Sequence, residues 1–238
     1  MDRAVEALGE YKARNRHIHL GPGAYVITIP VAHGAMLNVV AFCTDPTDWP
    51  ATAKLTAPAT KSEAISAFTE FGPAVRGIID AVADNSNMMD KWAIFDSYEN
   101  PSPTYTKGRV CIAGDAAHAP SPHHGAGAGS GIEDDLALAS LLVKAVTTVR
   151  AEGYASKARA IRAAFSAYNN VRLERTHWLV ESSRFLSQML TWQHPETGTN
   201  FEKCLSELMW RSHKIWDFDE QGMLRDAEAE YMRLLGSS

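Results

Sequence analysis

Positive charge is in short supply in this sequence. Its 23 Lys and Arg are outnumbered by 28 Asp and Glu, a formal net charge of −5, with an isoelectric point near 6.0. That balance argues against a nucleic-acid partner, which calls for a basic face. Long apolar runs are missing too. None reaches the ~18 residues that a membrane span needs, so no membrane partner is expected. The opening MDRAVEALGEYKARNR is charged and helical in character and has no signal-peptide apolar region. Cysteine is sparse: Cys43, Cys111 and Cys204 are widely spaced and odd in number. They read as buried or incidental thiols in a reducing compartment, with no disulfide framework and no metal site. A cytoplasmic protein is expected. Internal repeats and low-complexity segments are also lacking.

What is present is ordinary for a soluble globular chain. Of 238 residues, 45% are hydrophobic and 21% charged, enough for one large domain or two modest ones. Residues 3–16 have helical character. Ala24–Ile29 and Met36–Phe42 are β-rich runs whose spacing suggests an antiparallel hairpin, with Pro30 ending the first strand. Thr44–Pro58 reads as loop. Ser62 is the expected cap of a helix over Glu63–Phe71, and Pro73 lies near the start of another over Ala74–Val82. Trp92–Tyr98 fits a strand, and Asn100–Thr106 a loop. Ile161, Phe165, Tyr168, Val171, Trp178, Phe185 and Met189 follow helical spacing, giving one long amphipathic helix or two joined ones. Phe201–Ile215 and Gln221–Leu235 suggest two more.

The most informative stretch is Gly108–Leu142, GRVCIAGDAAHAPSPHHGAGAGSGIEDDLALASLL. It reads as a short strand over Arg109–Ala113, a break at Gly114-Asp115, a glycine-rich loop and a helix. Gly125, Gly127, Gly129 and Gly131 keep bulky side chains away, so a ligand can approach the main chain. Ser130 followed three residues later by Glu133 has the form of a capping box. The first amides of such a helix lack internal partners and carry partial positive charge, which suits an anion. Asp134-Asp135 then fall in the first turn, where the helix dipole alone accounts for them.

This string closely resembles the second flavin-binding motif of the FAD-dependent aromatic monooxygenases of the salicylate hydroxylase-like class. The matching residues are Gly114-Asp115-Ala116-Ala117-His118, Pro122, Gly125, Gly127 and the Glu133-Asp134 pair. Gly21–Phe42 looks like a strand pair of that family's substrate domain, Lys91–Asp96 like the strand before the flavin motif, and Tyr168–Arg172 with Arg175 like the long helix after it. The resemblance implies an α+β chain, a partial flavoprotein-monooxygenase fold in three segments. These are a substrate-domain-like sheet with helices over 1–107, a flavin-binding strand–loop–helix over 108–150, and a helical region over 151–238. No strand–GxGxxG–helix unit, which holds the ADP part of FAD in complete members, precedes Gly108. The chain thus looks like roughly the latter half of a monooxygenase.

By resemblance, Asp115 holds the ribityl chain of FAD, and Gly114, Pro122, Gly125, Ala126, Gly127, Ala128 and Gly129 lie along the flavin. Read from residue type alone, Asp115 is equally a turn-maker. His118 stands where the family also has His, which suggests a structural hydrogen bond. His123 and His124 are the catalytic candidates, as side chains near the loop able to switch protonation near neutral pH. No Cys, His or acidic set completes a metal pattern around them. Arg172 and Arg175, one turn apart, are within reach of the flavin-binding side, but the reading preferred for them is helix-surface charges that contact other parts of the domain. Tyr25, Ile27 and Ile29, like Leu37, Val39 and Ala41, alternate along strands; they are core, or the floor of a substrate cavity.

The expected function is hydroxylation of an aromatic or polyketide-like molecule with FAD as cofactor and NAD(P)H as transient reductant. A separate chain would supply the nucleotide-binding half, or the chain would form a homo-oligomer. Two alternatives stand beside it: a non-redox cyclase or isomerase of secondary metabolism, and a non-catalytic remnant whose exposed face once packed on the missing half.

Overall fold

A computed structural model describes residues 1–50, 54–83 and 89–236. Residues 51–53 of the expected Thr44–Pro58 loop lie outside that set. The architecture is α+β, with small antiparallel sheets and a helical C-terminal third. It divides into two compact units: Met1–Ile94 with Ser187–Leu205, and Phe95–Leu186 with Ser206–Ser238.

In the first unit the expected helix over 3–16 is two pieces, α1 (Asp2–Leu8) and α2 (Glu10–Ala13). Gly9, at φ 77°, breaks them, a conformation that glycine adopts without cost. Strands β1 (His17–Gly21), β2 (Ala24–Val31) and β3 (Met36–Cys43) form an antiparallel meander. The hairpin register sets Tyr25 opposite Phe42 and Val31 opposite Met36. Pro30 lies inside β2 and does not end it. Pairing with β1 stops at Thr28, so nothing on that side needs an N–H from Pro30. Strand β4 (Thr56–Ala59) overlaps the end of the segment expected as loop. Helix α3 spans Lys61–Ala67, and its cap is Thr60, not Ser62. The Thr60 hydroxyl accepts from the Glu63 amide while the Glu63 carboxylate accepts from the Thr60 amide, a full capping box. Helix α4 (Pro73–Ala83) begins at its proline as expected. Val75 and Ile79 of α4 pack with Phe68 and Phe71 on Ala24 and Val26. A side chain on Gly21 would overlap the Phe71 ring. Strand β5 is Met89–Trp92, paired with β4, so the expected strand over Trp92–Tyr98 is largely irregular chain.

In the second unit the expected strand over Arg109–Ala113 contracts to β7 (Val110–Cys111), paired with β6 (Thr106–Lys107). There follow α5 (Asp115–His118), α6 (Gly127–Glu152), α7 (Lys157–Leu190), α8 (Phe201–Trp216) and α9 (Glu220–Gly236). Helix α7 confirms one continuous helix where one or two were expected. Its end and the start of α8 belong to the first unit. The core is built on small residues: Ala137 and Ala145 of α6, Ala160, Ala164 and Ala167 of α7, Ala227 of α9. Alanines at these contacts let the helix backbones approach closely. Tyr105 and Tyr168 fill the remaining space and are fully buried. Among the described residues, no helix is long and apolar enough to cross a membrane. Cys43 is exposed and Cys204 buried, and both are free thiols, as is Cys111.

Candidate functional site

The site begins where β7 ends. Gly114 takes φ 57° and ψ −143°, which turns the chain from strand into α5 and leaves Asp115 as the exposed first residue of that helix. After α5, Pro122–His124 form a single 3₁₀ turn. Gly125 closes it in the left-handed region at φ 66° and ψ 22°, its amide donating to the Pro122 carbonyl at 2.9 Å. Helix α6 then starts at Gly127, with Ala126 at the cap position and no side-chain cap. The amides of Gly127, Ala128 and Gly129 therefore lack the carbonyl partner that later turns have. A side chain placed on Gly125 or Gly129 would meet nothing within 4 Å, so the backbone lies open there.

The expected capping box is absent. Ser130 and Glu133 sit inside α6, and a buried ion-pair network takes both. Asp134 and Arg172 are each 0% exposed. Oδ2 of Asp134 accepts from the Gly114 amide at 2.9 Å and from His118 Nε2 at 2.6 Å, and Oδ1 accepts from Arg172 Nε at 2.7 Å. The tautomer with its hydrogen on Nε2 suits the His118 contact; its Nδ1 has no partner among the described residues. Arg172 also donates to Glu133 at 2.6 Å and to the Ser130 carbonyl and hydroxyl at 3.1 and 3.2 Å. Arg175 grips Glu133 with two bonds of 2.7 Å, its guanidinium 3.5 Å from the centre of the Phe218 ring.

Both carboxylates and both guanidiniums balance in charge, which is what makes the burial tolerable. Burial pushes the Asp134 carboxyl up, but hydrogen bonds from His118, Gly114 and Arg172 outweigh it and hold the group below its usual range. Glu133 behaves alike, with Arg175 and Arg172 overcoming burial. Arg172 is thus no surface charge, and Asp134 is more than a partner of the helix dipole. The structural hydrogen bond expected of His118 is the one to Asp134.

The catalytic candidates differ from expectation in their ionisation. Burial, then the neighbouring His124, pushes His123 down to about 4. Burial, then Arg211, does the same to His124, also to about 4. Both are neutral at pH 7. His124 Nε2 lies 2.9 Å from Ser182 Oγ, which also accepts from Arg211 at 3.0 Å. Beside it a cavity of about 170 Å³ is lined by Gly125, Ala126, Gly129, Trp178 and Trp216.

Comparison with known proteins bears on this arrangement. The FAD binding domain family matches residues 60–169. An FAD-dependent monooxygenase of Monascus ruber (pigN) is 53% identical over 235 residues, covering 99% of this chain and 53% of that protein. A salicylate hydroxylase of Sarocladium schorii (asL1) is 42% identical, covering 97% of this chain and 49% of its own. A solved salicylate hydroxylase substrate complex superposes with a TM-score of 0.80 at 30% identity, over 95% of this chain and 53% of that one. Over nearly its whole length the chain is similar to about half of these FAD-dependent monooxygenases. It spans about half the length of the curated relatives it matches.

Within this arrangement the turn at Gly114 and the glycine-rich start of α6 come close together. A side chain on Gly131, in the first turns of α6, would lie 3.8 Å from the Gly114 Cα, so the strand-end turn and the helix start are neighbours. The open backbone at Gly125 and Gly129, the uncapped amides and the exposed Asp115 fit a flat, polar-edged cofactor such as FAD. Sequence reasoning missed Asp134 and Arg172 as the network's centre, although a signal existed. Asp134 lies in register with the apolar Ala137, Leu141 and Ala145, and Arg172 with Ala164 and Tyr168, all buried. A charge inside an apolar stripe at helical spacing marks a buried ion pair.

Proposed function

We propose that this chain supplies the flavin-ring side of the FAD site in a monooxygenase that hydroxylates a small aromatic or polyketide-like molecule, with NAD(P)H as reductant. FAD, when bound, supplies the redox chemistry and the activation of oxygen. The protein's part is to bind, orient and keep water out. Asp115 would accept hydrogen bonds from ribityl hydroxyls. The free amides of Gly127, Ala128 and Gly129 would face the polar edge of the ring, and Pro122, Gly125 and Ala126 would lie along it. The observation that carries this reading is the Asp134 bond to Gly114, which fixes the turn so that Asp115 stands exposed where α6 begins. The ADP-binding part would come from chain outside this sequence or from a second polypeptide. Three free thiols, Cys43 among them exposed, suit a reducing compartment such as the cytoplasm.

The test is a flavin fluorescence titration of the protein and of Asp115→Ala. The variant should bind FAD at least about tenfold more weakly, a loss of one good charge-assisted hydrogen bond. Its melting temperature should fall by no more than about 3 °C, because Asp115 is exposed and a first-turn carboxylate contributes only about 0.3–1 kcal/mol. Equal affinity in both forms defeats the assignment.

A further inference from the structure

The cavity beside His124 is walled mainly by side chains that take no part in the proposed function. All of its lining residues belong to the second unit. Two indoles, Trp178 and Trp216, and the aliphatic Leu179 and Ile215 make its apolar wall. The Trp178 ring is held by Lys214, whose Nζ lies 4.3 Å from the ring centre, and by the Trp210 ring at 6.2 Å. Trp216 meets the His213 ring at 5.9 Å and is 65% exposed. An indole that both lines a cavity and faces solvent stands at its rim. The charges in the wall are matched already, because Arg175 grips Glu133 with two bonds of 2.7 Å. The polarity that remains is uncharged: the neutral His124 ring, the Ser130 hydroxyl and the Gly129 amide of the first turn of α6. Volume limits the guest. An apolar cavity of about 150 Å³ holds one benzene ring. At about 170 Å³ this one admits a single six-membered ring with a small substituent and no fused second ring.

We infer that this cavity is an accessory binding site for an uncharged, monocyclic aromatic molecule with one small hydrogen-bonding group, separate from the flavin seat at Asp115. The guest's ring packs on the indoles, where edge and offset contacts add to the gain from burial. Its polar group turns toward His124 and Gly129. An ionised guest is disfavoured, because the wall has no unmatched charge to offset its loss of water. Helix geometry separates the two seats. Gly131 is the α6 residue that neighbours Gly114. Glu133 lies two residues further, about 200° round a helix of 3.6 residues per turn. The wall formed by Glu133, Arg175 and Trp178 is therefore on the side of α6 away from the Asp115 turn. The backbone between Gly125 and Gly129 would be the partition between the flavin and this guest.

Phenol is the probe, titrated calorimetrically into the full chain with no FAD added. Phenol should bind, while benzoate, which is charged, and 1-naphthol, which has a second ring, should bind at least about tenfold more weakly. Trp216→Ala should weaken phenol by at least about fivefold, and Trp216→Phe should restore most of the loss. Both variants should melt within about 2 °C of the parent, because the position is exposed. In protein carrying 5-fluorotryptophan, phenol should move the fluorine resonances of Trp178 and Trp216, assigned through Trp178→Phe and Trp216→Phe. Those of Trp49 and Trp92, in the first unit, should stay in place. The inference is overturned if phenol does not bind, if Trp216→Ala binds it as the parent does, if 1-naphthol binds as tightly, or if the Trp178 and Trp216 resonances do not move. Asp115→Ala tells the two seats apart. Phenol affinity that is unchanged while FAD affinity falls supports both. FAD affinity indifferent to Asp115, with phenol bound as expected, defeats the proposed function and leaves the cavity site standing. Phenol affinity that falls in Asp115→Ala makes the two seats one and overturns the inference.

Discussion

The amide nitrogen of Gly114 lies 2.9 Å from Oδ2 of Asp134. One hydrogen bond thereby ties the turn after β7 to the second turn of α6, across a sequence separation of 20. The same carboxylate holds His118 of α5 and Arg172 of α7. Four elements thus meet at one buried anion, and the exposed Asp115 and the open glycine backbone inherit their positions from it. A network of this kind is costly when half-made and rigid when complete.

Replacing Arg172 with Ala should therefore cost about 3–5 kcal/mol of unfolding free energy, because Asp134 is left as an uncompensated buried charge. Arg172→Lys should recover little, since Nε, Nη1 and Nη2 each reach a different partner and one compact ammonium nitrogen cannot span them. Urea denaturation measures both. Combining Arg172→Met with Asp134→Asn should cost clearly less than the sum of the single changes; simple additivity would show that the two groups do not act as a pair.

Acid should destabilise the protein in two stages. His123 and His124 sit at about 4 in the fold against an ordinary value near 6.5. Between those values the unfolded chain binds more protons, so stability present above pH 6.5 is lost as pH falls toward 4. His19, also lowered by burial, acts in the same direction. Glu133 and Asp134 are lowered carboxylates, so their contribution is present above the usual carboxylate range and disappears below it. Unfolding free energy measured at pH 7, 6 and 5 should fall steadily, and His124→Gln should flatten that slope while preserving a bond to Ser182. Stability that rises on acidification over this interval contradicts the assignment.

Gly129→Ala separates ligand binding from folding. The added methyl meets nothing within 4 Å, and alanine is the better helix former by up to about 1 kcal/mol. Thermal unfolding should stay level or rise, while flavin titration should show weaker binding, because the methyl stands where a ring would approach the backbone. A variant that binds FAD as well as the parent would place the cofactor elsewhere.

Much of the fold is legible in the residues themselves. The β2–β3 hairpin follows from β-rich alternation, and α7, α8 and α9 from helical spacing, to within a few residues. The glycine string announced an exposed backbone turn before a helix, which Gly125 in the left-handed region bears out. Local rules failed where a distant partner outbid them. Ser130 and Glu133 have the form of a cap, but Arg172, some 40 residues on, takes both. Asp96, expected in a strand, instead accepts two bonds from Arg184. His123 and His124 look titratable at neutral pH from their type, and burial together with nearby positive charge removes that property.

The sequence alone determined periodicity and backbone freedom: which segments coil or extend, where glycine permits a turn, and the resemblance that points to flavin. Those are properties of neighbours along the chain. Only the tertiary structure decided which charges are buried, which carboxylate holds Gly114, and which side chains line the cavity beside His124. Burial and ion pairing depend on residues far apart in sequence, and their strength is set by the loss of water around them, which no local pattern records.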